Sequence, residues 1–183
     1  LWAQLLGEHG IVAAQLLLTL DDLEDRRRYL NATATLARLL DAGAVPVINE
    51  NDSVATNEIR FGDNDRLAAR VAQAAQASAV LLLSDVDGLY DRNPAHPDAR
   101  IVSQVHGVTA DIHAMATGDS TSGLGSGGMT SKLQAAEIAE MAGIALAIAN
   151  GTHDSPIARA TGEGIGTLVL PRGKAGARKA WRG

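Results

Sequence analysis

Short apolar runs and helical stripes alternate along this chain. Residues 11–18 are apolar except for Gln15, and further apolar runs stand at 45–48, 79–83, 144–149 and 167–170. Runs of this length, bounded by Gly, Asp or Asn, predict buried strands, with 11–18 a central one. Between them the apolar positions fall at helical spacing. Residues 1–9 predict a helix closed by Gly10. Asn31 is the expected cap of a helix that places Ala32, Leu36, Leu39 and Leu40 on one face and ends at Gly43. Leu67, Val71, Ala74 and Ala75 form a second stripe. Ala135, Ile138, Met141 and Ala142 form a third, in a helix expected over about 129–142. A short strand at 101–105 and a helix at 109–117 complete the series. Residues 21–28 are strongly charged and read as a solvated face or helix start. Strands alternating with helices predict an α/β fold: a three-layer α/β/α sandwich around a mainly parallel sheet.

Polar clusters follow three of the predicted strands directly. Asn49, Glu50, Asn51 and Asp52 come after the first, Ser84 to Asp87 after the next, and Asn150 to Thr152 after the third. Ligands of open parallel sheets bind beyond the carboxyl ends of the strands, so these clusters mark the expected site. A second acidic knot, Asp63, Asn64 and Asp65, lies downstream of the first. The alternation at Glu58, Ile59, Arg60 and Phe61 predicts a β-ribbon that folds the two together. One helix cap needs a single Asp or Asn. Seven short carboxylates and amides in two facing groups, with like charges held close, instead suggest a polar binding pocket.

Composition narrows the classes. With 183 residues the chain is long enough for one domain with a substantial core. Aromatics are only 3% against 46% hydrophobic residues, so aliphatic side chains and alanine fill that core. The formal charge of −5 offers no broad attraction for nucleic acid or an anionic membrane, and any phosphate must be held by local groups. There is no cysteine, hence neither disulfide nor thiolate metal site, as suits a reducing compartment. The five histidines lie far apart, without metal-ligand spacing.

Those local groups are concentrated at one place. Gly123, Gly125, Gly127 and Gly128 lead into Met129, Thr130, Ser131 and Lys132 where a helix is expected to open. Glycines admit close backbone approach, and successive N–H groups at a helix start cradle an anion. Lys132, within the first expected turn, adds a mobile positive charge. The literal G-x-G-x-x-G here lacks the preceding strand of a dinucleotide fold, and the GK[ST] ending of a P-loop is absent.

SDVDGLYDRNP and GLGSGGMTSK resemble the nucleotide-site motifs of the amino-acid kinase superfamily. VINENDSVATNEIRFGDND is narrower and resembles the substrate segment of the glutamate 5-kinases. LLLTLDDLEDRRRYLNA and KLQAAEIAEMAGI support it, so the likeness runs along essentially the whole chain. The resemblance implies ATP-dependent phosphorylation of the γ-carboxylate of L-glutamate, the first step of proline biosynthesis, with Mg²⁺. Acetylglutamate kinase or aspartokinase chemistry, or a non-catalytic amino-acid-binding module, are the rival readings. It further implies that Asp52 and Asn64, with Asn49 and Asn51 beside them, bind glutamate, and that Asp65 orients catalytic lysines. Ser84 and Asp85 would contact ATP. Ser126, Gly127, Gly128, Met129, Thr130, Ser131 and Lys132 would form the nucleotide loop, Lys132 being catalytic. A cytoplasmic homo-oligomer, feedback-inhibited by proline, is the corresponding expectation. Residues 1–171 would be the kinase domain and 172–183 a basic tail. The family's opening strand, with its phosphate-site lysine, has no counterpart here, nor does a C-terminal RNA-modification-like (PUA) domain. The chain is therefore expected to be part of a longer kinase, inactive and prone to associate on its own.

Overall fold

The most apolar of the predicted strands is also the most enclosed. In the computed structural model, which describes residues 1–51, 63–117 and 126–173, Ala145–Asn150 has five consecutive buried residues. This strand is the fifth in chain order, after β1 Val12–Leu18, β2 Ala44–Glu50, β3 Ala79–Ser84 and β4 Gln104–His106. As β5 it precedes β6 Thr167–Leu170. The helices are α1 Trp2–Gly7, α2 Leu20–Glu24, α3 Arg26–Asp41, α4 Asp63–Ala74, α5 Ala110–Thr117, α6 Ser126–Met141 and the short α7 Pro156–Ala158. A π-helical turn, Arg159–Glu163, follows α7.

Two sheets result. One has four strands in the order β3-β5-β6-β4, in which β3–β5 and β4–β6 are parallel and β5–β6 antiparallel. The other is the parallel pair β1–β2. Among the described residues β1 is therefore not a central strand: β2 alone pairs with it, and Leu17 on its outer face is half exposed. The run at 101–105 is not one strand either. Ile101 makes a single antiparallel bridge to Tyr90, and regular pairing starts only at Gln104.

Each sheet has its own core. Val80, Leu82, Leu133, Leu146, Ile148 and Val169 lead the larger one, and Leu23, Ala32, Leu36, Leu67 and Ala74 form the smaller. The helix α4 belongs to both. Leu67 and Ala74 face the small core as the stripe predicts, while Ala69 and Ala72 face the large one. Gly43 and Gly143 end α3 and α6 at φ +71, where a left-handed residue closes a helix and releases the next strand. After α4 a non-glycine, Gln76, takes the corresponding conformation at φ +54.

The cap predicted at Asn31 is misplaced. Asn31 lies inside α3, which Asp25 caps by accepting a hydrogen bond from the Arg28 amide at 2.9 Å. Asp25 also ends α2, so the charged stretch contains a helix junction. Upstream, Thr19 and Asp22 form a reciprocal capping box on α2. The helix α6 also starts earlier than its apolar spacing predicts, at Ser126 rather than near Met129. Glycine contributes nothing to an apolar stripe, so the pattern does not reveal a first turn built on Gly127 and Gly128.

Candidate functional site

Two groups of polar side chains stand out, and each joins segments far apart in sequence. The first lies between α4 and α6. Asp65, the third residue of α4, meets Lys132 of α6, whose Nζ is 3.1 Å from Asp65 Oδ2. The same carboxylate oxygen lies 2.7 Å from Ser131 Oγ, which is also 2.9 Å from the Gly128 carbonyl. Ser131 and Lys132 are both buried, and Asp65 is partly so. A carboxylate withdrawn from water in this way needs compensation by charge or hydrogen bonds, and it receives both.

The second group lies at the ends of β3 and β5, which run side by side with Ser84 opposite Asn150. The Gly151 amide donates to the Ser84 carbonyl at 2.7 Å, closing the two strand ends together. Asn150 then reaches across. Its Nδ2 donates to Asp87 Oδ1 at 2.8 Å, while its Oδ1 accepts from the Thr152 amide at 2.8 Å and the Thr152 hydroxyl at 2.6 Å. Tyr90 donates to the other Asp87 oxygen at 3.2 Å. The hydrogen bond from Asn150 is the main reason that the Asp87 carboxyl lies below its ordinary value. Tyr90 and the nearby His153 assist, against the opposing effect of burial. Ser84 Oγ lies 3.0 Å from Asp85 Oδ1. Underneath, the buried Thr167 hydroxyl accepts the Leu89 amide at 2.8 Å and fixes the loop from below.

The clusters after β3 and β5 thus lie together beyond the carboxyl ends of two neighbouring strands of the larger sheet, whereas Asn49, in β2, and Asn51, just past it, belong with the smaller one. Asn64 is exposed at the start of α4. Asp52, the ribbon at 58–61, and Gly123 and Gly125 lie outside the described residues. Ser126, Gly127 and Gly128 form the first turn of α6, where backbone N–H groups have no partner within the helix. Lys132 is the seventh residue of α6 and so sits three residues deeper than the sequence spacing predicts. The half-buried Met129 packs against the larger core. Residues 172–173 follow β6 after Pro171, and the rest of the expected tail is outside the described residues.

Sequence reasoning did not assign roles to Asn150, Thr152, Tyr90 or Thr167. Asn150 and Thr152 stood in a polar cluster after a strand, which was the available signal. Nothing local marks Thr167, whose partner is distant in sequence. An open groove of about 740 Å³ lies elsewhere, between α2 and α3, lined by Asp21, Glu24, Asp25, Arg27, Arg28 and Asn31. Of its lining residues, Arg28 is paired at 3.3 Å with Asp22, which lies outside the lining.

Known proteins resemble this chain along its length. The profile of the Amino acid kinase family matches residues 1–150. A protein of Novosphingobium aromaticivorans named glutamate 5-kinase is 73% identical over 183 residues, which is 100% of this chain and 48% of the relative. Proteins with the same name are 62% identical in Sphingopyxis alaskensis and 57% identical in Zymomonas mobilis, each across 98% of this chain. The chain spans about half the length of these curated relatives. Among solved structures, a T. acidophilum isopentenyl phosphate kinase matches with TM-score 0.56 at 22% identity, covering 88% of this chain and 61% of its own. An E. coli aspartokinase III matches with TM-score 0.58 at 21% identity, over 95% of this chain and 38% of that one. At such identities these two speak for the fold alone.

Proposed function

The chain belongs to the amino acid kinase family, and from that premise we propose that it serves an ATP-dependent glutamate 5-kinase, converting L-glutamate to glutamyl 5-phosphate. The observation that carries this reading is the enclosed Asp65–Lys132 pair beside the first turn of α6. It joins the acidic segment to the glycine-rich one, the two stretches that the chemistry requires together.

The γ-carboxylate of glutamate is already ionised at neutral pH, so the reaction needs no general base to make its nucleophile. A carboxylate oxygen forms a bond to the γ-phosphorus of ATP, the bond from that phosphorus to the β-phosphate oxygen breaks, and ADP leaves with the electron pair. The protein has to bring two anions together and offset the charge that spreads over the phosphoryl oxygens. In this reading the N–H groups at the first turn of α6 face phosphate, and the Lys132 ammonium stabilises the transferring group. Asp65 holds that ammonium in one orientation. Asp52, Asn64 and the amides of Asn49 and Asn51 take the glutamate, and Ser84 and Asp85 contact the nucleotide. The Asn150–Asp87 bridge keeps the β3 and β5 ends closed beneath it.

Magnesium enters here as MgATP, the form in which the nucleotide is the substrate. Among the described residues no three carboxylate or imidazole groups gather as a metal site. Among the same residues no helix is long and apolar enough to cross a membrane. Inhibition by proline and self-association belong to the same proposal.

The test is an assay of the complete gene product that contains these residues, with glutamate, N-acetylglutamate and aspartate as alternative acceptors and ADP release as the readout. Glutamate-dependent turnover exceeding that with the other two is expected. Preference for either of the others would replace the glutamate reading, and no acceptor-dependent turnover would remove the kinase reading.

A further inference from the structure

We propose that the Ser131 hydroxyl is a positioning group, which fixes the Asp65 carboxylate and through it Lys132, and is not a ligand of the nucleotide phosphates. The inference rests on the kinase reading above but assigns Ser131 a different task from the one its place in the glycine-rich motif suggests.

The geometry carries it. Ser131 Oγ and Lys132 Nζ come from consecutive residues of α6, about 100° apart around the helix axis, yet both converge on one atom, Asp65 Oδ2, at 2.7 and 3.1 Å. Ser131 is only 5% exposed, so its hydroxyl proton must go to a protein acceptor. Two are in reach, Asp65 Oδ2 and the Gly128 carbonyl at 2.9 Å. The carboxylate is the nearer and the charged one, and a hydrogen bond to it is the stronger. A serine hydroxyl has one proton to give. Once that proton is engaged in the hydrogen bond to Asp65, the oxygen turns only lone pairs to any other group, and they repel phosphate. The backbone offers no substitute. Ser131 is the sixth residue of α6, past the first turn whose N–H groups have no partner within the helix. Neither donor of Ser131 is therefore left over for a phosphate.

The consequence is a carboxylate held by two donors. With Lys132 alone, the Asp65 carboxylate retains rotation about its side-chain torsions and the flexible lysine stem follows it. With Ser131 as well, one rotamer of Asp65 is selected, and the ammonium is preorganised before substrate arrives. A group that acts in this way changes the rate of the chemical step more than the binding of either substrate.

The test uses the complete gene product with Ser131→Ala, Ser131→Thr, Asp65→Asn and the Ser131→Ala/Asp65→Asn double variant. Ser131→Ala is expected to lower kcat by about 10-fold, the scale of one charge-assisted hydrogen bond, with both KM values nearly unchanged. Ser131→Thr keeps the hydroxyl and is expected to restore kcat. In the Asp65→Asn background, Ser131→Ala is expected to have little further effect, because its partner is already altered. A raised KM for ATP at unchanged kcat would make the hydroxyl a nucleotide ligand and overturn the proposal. So would effects that multiply in the double variant. The parent, Ser131→Ala, Asp65→Asn and the double variant are also unfolded in urea. Non-additive shifts of the midpoint are expected from the contact itself, whatever acceptor the enzyme uses, and additive shifts would refute it. If the parent fails to phosphorylate glutamate, the functional reading falls while this stability cycle still decides the contact.

Discussion

Lys132 and Asp65 meet where neither has much water, their side chains being 11% and 19% exposed. Such a pair is strongly destabilised when one partner is removed, because the other is left buried and uncompensated. In the kinase reading the same enclosure makes the charge effective. Lys132→Met is expected to lower kcat by about 10² to 10³-fold, as loss of one preorganised donor does, with a much smaller change in the KM for glutamate. Turnover within a few-fold of the parent would remove Lys132 from the mechanism. The two acidic clusters are expected to separate kinetically. Asp52→Ala should chiefly raise the KM for glutamate and Asp65→Asn chiefly depress kcat, and steady-state kinetics showing one signature for both would reject the division of roles. The residue types of this site are readable in the sequence, since a lysine after glycines and an aspartate in an acidic knot advertise themselves. Their meeting is not readable, because Asp65 and Lys132 are separated by 67 positions and only the packing of α4 on α6 brings them together.

Among the elements, α6 has a task at each end. Its beginning carries Ser131 and Lys132, and near its end Glu140 anchors two other segments. Glu140 Oε2 accepts the Val108 amide at 3.0 Å, and Oε1 accepts Arg172 Nε at 2.6 Å, just after β6. Gly107 has φ +71, where any other residue is strained, and a Cβ there would also displace the side-chain ends of Glu140 and Arg172. Burial pushes the Glu140 carboxyl up, but the donors from Arg172 and Val108 together outweigh it and leave the group below its ordinary value of 4.5. A carboxyl lowered in the fold adds stability above its unfolded value and loses that contribution as the pH falls through the lower folded value. Glu140→Gln is therefore expected to cost about 1–3 kcal/mol near neutrality. The gap to the parent should close below pH 4.5. Urea unfolding at a series of pH values measures this, and a gap that is constant with pH would show that the charge is not what holds the clamp. Strands and apolar stripes were legible because burial writes itself into periodicity. Asp25 as the cap of α3 was not, since several Asp and Asn residues nearby are equally good candidates. Nor was the glycine-built first turn of α6, which has no apolar face to betray it.

At the scale of the molecule, the division into a four-stranded and a two-stranded sheet was hidden from the sequence, because every apolar run predicts a strand and none names its neighbour. The helix α4 ties the halves together, with Leu67 and Ala74 in one core and Ala69 and Ala72 in the other. Yet the halves are unequal. Strand β5 has a partner on each side and five buried residues in succession, while β1 has one partner among the described residues and no fully buried residue. Opening a region costs free energy in proportion to what it buries and pairs. Deuterium should accordingly enter the amides of β1 and β2 long before those of β5, with α4 divided along its two faces between fast and slow protons. Mass spectrometry after timed exposure to heavy water would resolve this order. Equal rates in β1 and β5 would mean that α4 welds the two cores into a single unit that opens only as a whole.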